Sequence, residues 1–290
     1  MTPERIVAGL AFPEGPLWRD GRLLFSDFHT HRVQSLGLDG SLETICEVPA
    51  QPSGLGFGPD GRMLVVSMRD RRLLRLEDDG LHELADLTAL TGGPCNDMVV
   101  DARGRAWVGE FGFDYGAPPQ TASLVRVDPD GHAERVAEGL HFPNGCVMTP
   151  DGTLVVAESL GRRLTAFDAG EDGSLSGRRP WAVFAPEPAA SFRDAAADGA
   201  PAPDGICLDA QGAIWVADIV GRAAMRVAEG GEVLDVIPTG EGLTALAVAL
   251  GGPDGRTLFI CAAAPIGDGD PETDRRGCIL ACEVEVPAAA

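Results

Sequence analysis

The chain has 290 residues, 44 of them acidic and 23 basic, for a formal net charge of −21. That balance repels phosphate backbones and anionic lipid surfaces, so neither nucleic acid nor membrane is expected as a partner. All 23 basic residues are arginine, which excludes a Schiff-base mechanism on lysine.

The seven cysteines include Cys146, Cys207, Cys261 and Cys282 within apolar runs, and none has zinc-ligand spacing. They read as free thiols in a reducing cytoplasm. Residues 1–5 are polar and no apolar run approaches a membrane span, which predicts a soluble, unexported protein.

In chain order, Arg5-Ile6-Val7-Ala8 is an isolated apolar strand. A recurring unit then begins, with Pro13-Glu14-Gly15 leading through Asp20-Gly21 to Leu23-Leu24-Phe25-Ser26-Asp27. Copies start at Pro52, Pro94, Pro143 and Pro203, and a degenerate one at Leu243. Each reads as two apolar strands across an Asp/Gly-bearing turn, a β-hairpin, and most are followed by a third strand such as residues 32–40 or 163–173. One hairpin cannot bury both its faces. Six such units, at the roughly 40 to 45 residues of a propeller blade, predict an all-β, six-bladed β-propeller forming a single domain over residues 1–290. Residues 278–284 end the last unit. The strand near residues 4–8 is expected to supply its outer edge and close the ring, hiding an edge that invites aggregation.

Two insertions interrupt the repeat. Residues 111–119 carry Phe111, Phe113 and Tyr115 and are expected to wall a pocket. Residues 186–201, rich in Ala, Pro and Asp, read either as a disordered surface loop or as a border of the same pocket.

The innermost strands of a propeller run beside its axis, so the position after each motif proline should form a ring. Around the chain it reads Glu14, Ser53, Cys95 with Asn96 beside it, Asn144, Asp204 and Thr244. A carboxylate or amide facing a crowded axis must be compensated. This oxygen-rich set, without histidine or thiolate, suits one hard divalent cation: calcium is favoured, with magnesium, manganese or zinc as alternatives. Asp and Asn also form turns, so each residue alone could be only a turn cap. His29 and His31 have ligand spacing but no third partner; Glu110 and Asp218 end second strands as supporting or turn groups.

Phe12-Pro13-Glu14-Gly15-Pro16-Leu17-Trp18, Cys95-Asn96-Asp97, Phe142-Pro143-Asn144-Gly145 and Pro203-Asp204-Gly205 resemble signature segments of the regucalcin/gluconolactonase family of six-bladed propellers, and the likeness spans nearly the whole chain. It implies a lactone hydrolase acting on a small-molecule substrate, with a divalent ion held by Glu14, Asn144 and Asp204, Asn96 lining the pocket and Asp97 near the substrate. Pro94 stands where animal members that open gluconolactone carry arginine, so sugar-lactone specificity does not transfer. Under this reading Asp204 is the general base or, alternatively, the nucleophile, with Asp97 as a second catalytic group; Phe12, His141, Phe113 and Tyr115 contact the substrate. Organophosphate-ester hydrolysis on the same ion, and a non-catalytic propeller serving as a protein scaffold, are the competing functions.

Overall fold

The repeat's turns behave as their chemistry dictates. Asp60, Asp101, Asp209 and Asp254 each accept the backbone N–H two residues on, at 3.1, 2.9, 2.8 and 3.1 Å. Gly61, Gly104, Gly212 and Gly255 follow with φ of 79°, 80°, 79° and 71°, the left-handed region where a side chain would clash.

The computed structural model describes residues 2–289, folded into six four-stranded antiparallel sheets. The innermost strands are Pro13–Arg19, Pro52–Phe57, Cys95–Val100, Pro143–Met148, Pro203–Leu208 and Thr244–Gly251, and each packs against the next round a closed ring. The architecture is a six-bladed β-propeller. Its last blade takes its outer strand from Glu4–Leu10, which pairs antiparallel with Gly277–Glu283 from Glu4 opposite Ala281 to Leu10 opposite Gly277. Among the described residues no helix is long and apolar enough to cross a membrane.

The core is divided rather than central. Six apolar clusters occupy the six junctions between neighbouring blades, with Trp107 and Trp215 at 0% and 1% exposure. Such wedges exist because alternate residues of each strand face opposite neighbours, so both faces of every sheet are buried. A seventh cluster, built on Phe28, Met68, Phe111, Phe142 and Leu160, lies apart from them over one end of the axis. All seven cysteines are free thiols.

Residues 186–201 contain a short helix. Ser191 caps a helix over Phe192–Asp198, its Oγ accepting from the Asp194 N–H at 3.2 Å. The Arg162 guanidinium pairs with Asp198 and donates to the Glu187 carbonyl at 3.1 Å, which ties both ends of the segment to blade four.

Candidate functional site

Every innermost strand is irregular where its second residue sits. The pairing skips between Glu14 and Leu17, Pro52 and Leu55, Cys95 and Met98, Pro143 and Cys146, Pro203 and Ile206, and Ala245 and Ala247. A bulge breaks the alternation of side chains and re-aims one of them. Space for it comes from glycine: a Cβ on Gly145 would lie 2.5 Å from the Ile206 nitrogen, and one on Gly205 2.3 Å from the Ala247 Cβ. Adjacent strands therefore meet backbone to backbone at the axis, and the residue before each glycine is the one displayed.

The ladder also corrects the ring. Cys95 pairs with Glu110 as Pro143 pairs with Glu158 and Pro203 with Asp218, so Cys95 holds the proline's place. Asn96 is thus the structural equivalent of Asn144 and Asp204, and Asp97 occupies the glycine position. In blade six Thr244 pairs with Ala263 and donates its hydroxyl to the Ile219 carbonyl, so the displayed residue there is Ala245 rather than Thr244. The ring is Glu14, Ser53, Asn96, Asn144, Asp204 and Ala245.

Glu14, Asn96, Asn144 and Asp204 form the floor of a cavity of about 450 Å³. Their partners leave oxygens free. Asn144 Nδ2 donates to Ser159 Oγ at 3.2 Å, which commits the nitrogen and leaves the carbonyl oxygen available. Asn96 Nδ2 donates to the Pro143 carbonyl at 3.3 Å, and its Oδ1 accepts from Ser53 Oγ at 3.4 Å. Asp204 Oδ1 is buried without a hydrogen-bond partner among the described residues, an arrangement that costs on the order of several kcal/mol for a charged oxygen unless something compensates it. Burial pushes the Glu14 carboxyl well above its ordinary range, and the charges of Asp204 and Asp97 push it further. Asp204 is also raised, by burial and then by Asp97, against an opposing hydrogen bond from Asn144; burial lifts Asp97 to about 7. Among the described residues no three His, Cys, Asp or Glu side chains group as metal ligands. The donor set is two carboxylates and two amides, and an unpartnered carboxylate oxygen in a cluster of like charges fits a hard cation.

The walls are aromatic. Phe12, Phe28, Phe111, Phe113, Phe142 and Phe192 line the cavity, with Tyr115 at its rim. Phe111 stacks on Phe142 at 4.6 Å between centroids, and Phe192 meets Phe142 edge-on at 4.9 Å. Phe142 holds φ of 59°, rare for a bulky residue and contrary to the extended backbone usual before proline. Of the expected substrate contacts, Asn96, Phe12, Phe113 and Tyr115 line the cavity and His141 does not; its backbone N–H donates to Glu158 instead, at 2.7 Å. Asp97 lines a second cavity, at the other end of the axis, with Gly54, Gly145 and Gly205. His29 and His31 diverge: His29 borders the main cavity, 3.7 Å from Glu272, while His31 Nδ1 contacts the Pro49 carbonyl at 2.8 Å.

Two features escaped the sequence reading, and a third was read only in part. The loop 264–276 covers one side of the cavity; it lies between the last blade's second and third strands, the same place as the insertion in blade three. Arg69 borders the cavity beside Gln51, donating to its Oε1 at 2.6 Å, but looks like any other turn arginine in sequence. The carboxylates ending second strands form a belt that holds the preceding loops. Asp27 accepts from the Phe12 N–H at 2.7 Å, Glu110 from Gly92, Gly93 and Gly112, Glu158 from His141 and Asp218 from Ala202. Glu110 and Asp218 read as supporting or turn groups; recurrence at one repeat position is the signal that extends this to Asp27 and Glu158.

Comparison with known proteins agrees with the propeller fold. The family profile described as SMP-30/Gluconolactonase/LRE-like region matches residues 12–264. A 6-deoxy-6-sulfogluconolactonase of Pseudomonas putida is 27% identical across 96% of this chain and 92% of its own length. A pentonolactonase of Haloferax volcanii is 29% identical across 93% and 88%. The solved structure of a calcium-binding protein, regucalcin, from Agrobacterium tumefaciens superposes with a TM-score of 0.79 over 99% of this chain and 95% of that one, at 21% identity. With the profile spanning the innermost strands of all six blades and the residues displayed at the axis, the chain belongs to the SMP-30/gluconolactonase/LRE-like family.

Proposed function

We propose that the protein hydrolyses a small lactone in the aromatic-walled cavity, with Glu14, Asn144 and Asp204 holding one divalent cation, calcium by its donor chemistry, and Asn96 beside them. The buried, unpartnered Asp204 Oδ1 carries this reading. A carboxylate left so among like charges is a liability in a scaffold and an asset in a hydrolase. Two family relatives that cover most of the chain are named for lactone hydrolysis, which supports the reaction class.

A divalent cation bound there supplies Lewis-acid polarisation of the lactone carbonyl. The chain's own residues do the rest. The phenylalanine walls seat the ring and exclude bulk water, so that a single water reaches the carbonyl carbon. Asp204, ionised when a positive charge compensates it, takes a proton from that water as its oxygen bonds to the carbonyl carbon. The ring C–O bond then breaks, and the proton on Asp204 passes to the departing alkoxide. The product is the open-chain hydroxy acid, which ionises in solvent.

Asp204→Asn keeps an oxygen donor while removing the base. The expected variant still binds calcium at saturation, by calorimetry, yet loses at least about two orders of magnitude in kcat, the usual scale for a general base. Near-normal turnover in the calcium-loaded variant would refute the assignment of Asp204 as base.

A further inference from the structure

We infer that the cavity selects lactones bearing an apolar alkyl or aryl substituent and discriminates against polyhydroxylated sugar lactones, with Phe113 and Phe192 as determinants of that choice. The inference rests on the lactonase reading above and narrows its substrate.

The polar groups of the cavity lie on its floor and rim, and most are already engaged. Asn96 is bonded at both ends of its amide, to Ser53 and Pro143, and Asn144 gives its nitrogen to Ser159. The Gln51 Oε1 takes the Arg69 Nε at 2.6 Å, and Arg276 is paired with Asp268 at 3.2 Å. Between floor and rim one side of the wall is phenylalanine, which neither donates nor accepts, and the other is the loop 264–276, whose Asp268, Asp270 and Asp274 carboxylates are taken by Arg276, the Glu272 N–H and the Asp270 N–H. A ring carrying several hydroxyls would give up its water there and find few partners, an unfavourable exchange for each hydroxyl. An alkyl or aryl substituent loses nothing of the kind and gains burial against the rings. A volume of about 450 Å³ also leaves room beyond a lactone ring.

The aromatic wall is assembled from four separate places: Phe12 and Phe28 flanking blade one's first two strands, the insertion after blade three's second strand, the residue preceding Pro143, and the capped helix Phe192–Asp198. Phe142 is held at a positive φ to reach it. Phe113 and Phe192 are only partly buried and sit on added segments, so neither is needed to fill a wedge between blades. Sequence insertions that converge as apolar surface on a polar floor mark a binding preference rather than a packing need.

Initial rates of the calcium-loaded protein, followed by pH-stat, would compare δ-decanolactone, δ-valerolactone and glucono-δ-lactone, which share a six-membered ring and differ in substituents. The expected kcat/KM is highest for δ-decanolactone, by about tenfold or more over δ-valerolactone, and lowest for glucono-δ-lactone. Phe113→Ala and Phe192→Ala are each expected to lower the δ-decanolactone to δ-valerolactone ratio by about three- to tenfold. Preference for glucono-δ-lactone, or equal rates on the two unhydroxylated rings, would overturn the inference while leaving the lactonase reading intact. Inertness toward all three by folded, calcium-loaded protein would overturn both. The wild-type ranking decides even if one variant fails to fold.

Discussion

Asp97 and Glu158 show opposite uses of a buried carboxylate. Asp97 sits where four other blades place glycine, and burial lifts it to about 7 beside the Glu14 and Asp204 carboxylates that its charge acts on. Burial also works against Glu158, but hydrogen bonds from Arg163, Thr165 and the His141 N–H outweigh it and hold the group below its ordinary range. A depressed folded value contributes stability above the unfolded pKa, which is lost as pH falls through the folded one. Glu158→Gln should therefore lower stability by about 2–3 kcal/mol near neutrality, with the difference from wild type shrinking in acid. Denaturant titrations at the two pH values check this; a gap that widens in acid would contradict the assignment. Much of the site was legible at this scale, since Glu14, Asn144 and Asp204 follow their prolines directly. The status of Asn96 and Asp97 was not, because Pro94 suggests a register that only the pairing of Cys95 with Glu110 corrects.

Among the elements, the outer strand Glu4–Leu10 makes the clearest prediction. It buries Leu10 and partly buries Ile6 and Val7 against the last blade. Removing residues 2–10 should cost on the order of 4 kcal/mol and expose Gly277–Glu283 as an unpaired edge. A lowered melting temperature together with concentration-dependent aggregation is expected; an unchanged melting temperature would contradict a closing role. The blades could be read from sequence because their turn chemistry and spacing repeat. The helix Phe192–Asp198 occurs once, and the loop 264–276 shares its place between second and third strands only with residues 111–121, so no regular period announced either. For the helix, Ser191 followed by Asp194 was a readable cap within an Ala-rich run.

The whole molecule gathers Glu14, Asp97 and Asp204 at the hub, and all three are raised, first of all by burial. A raised folded value gives stability that is full below the unfolded pKa and is lost as pH rises through the folded one. Chelated protein should accordingly lose thermal stability between about pH 5 and about pH 8. Calcium should offset most of that loss, and its binding should release protons, visible as a dependence of calorimetric heat on the buffer's ionisation enthalpy. Asp97→Asn should flatten the fall without metal. A chelated wild type whose stability rises across this range would contradict the charge cluster.

The pairing of Glu4–Leu10 with Gly277–Glu283 also orders events in time. The outer strand of the last blade is translated before every other strand described, and its partner after all of them. At about 5–20 residues per second of synthesis, that strand waits on the order of 15–60 s for the chain that will cover it. Glu4 and Arg5 at its start keep the waiting segment from being a purely apolar edge. A nascent chain can complete its early blades on the ribosome, but it cannot latch the circle until the sixth is made. Closure therefore waits on the last blade, and a chain interrupted before Gly277–Glu283 is left open.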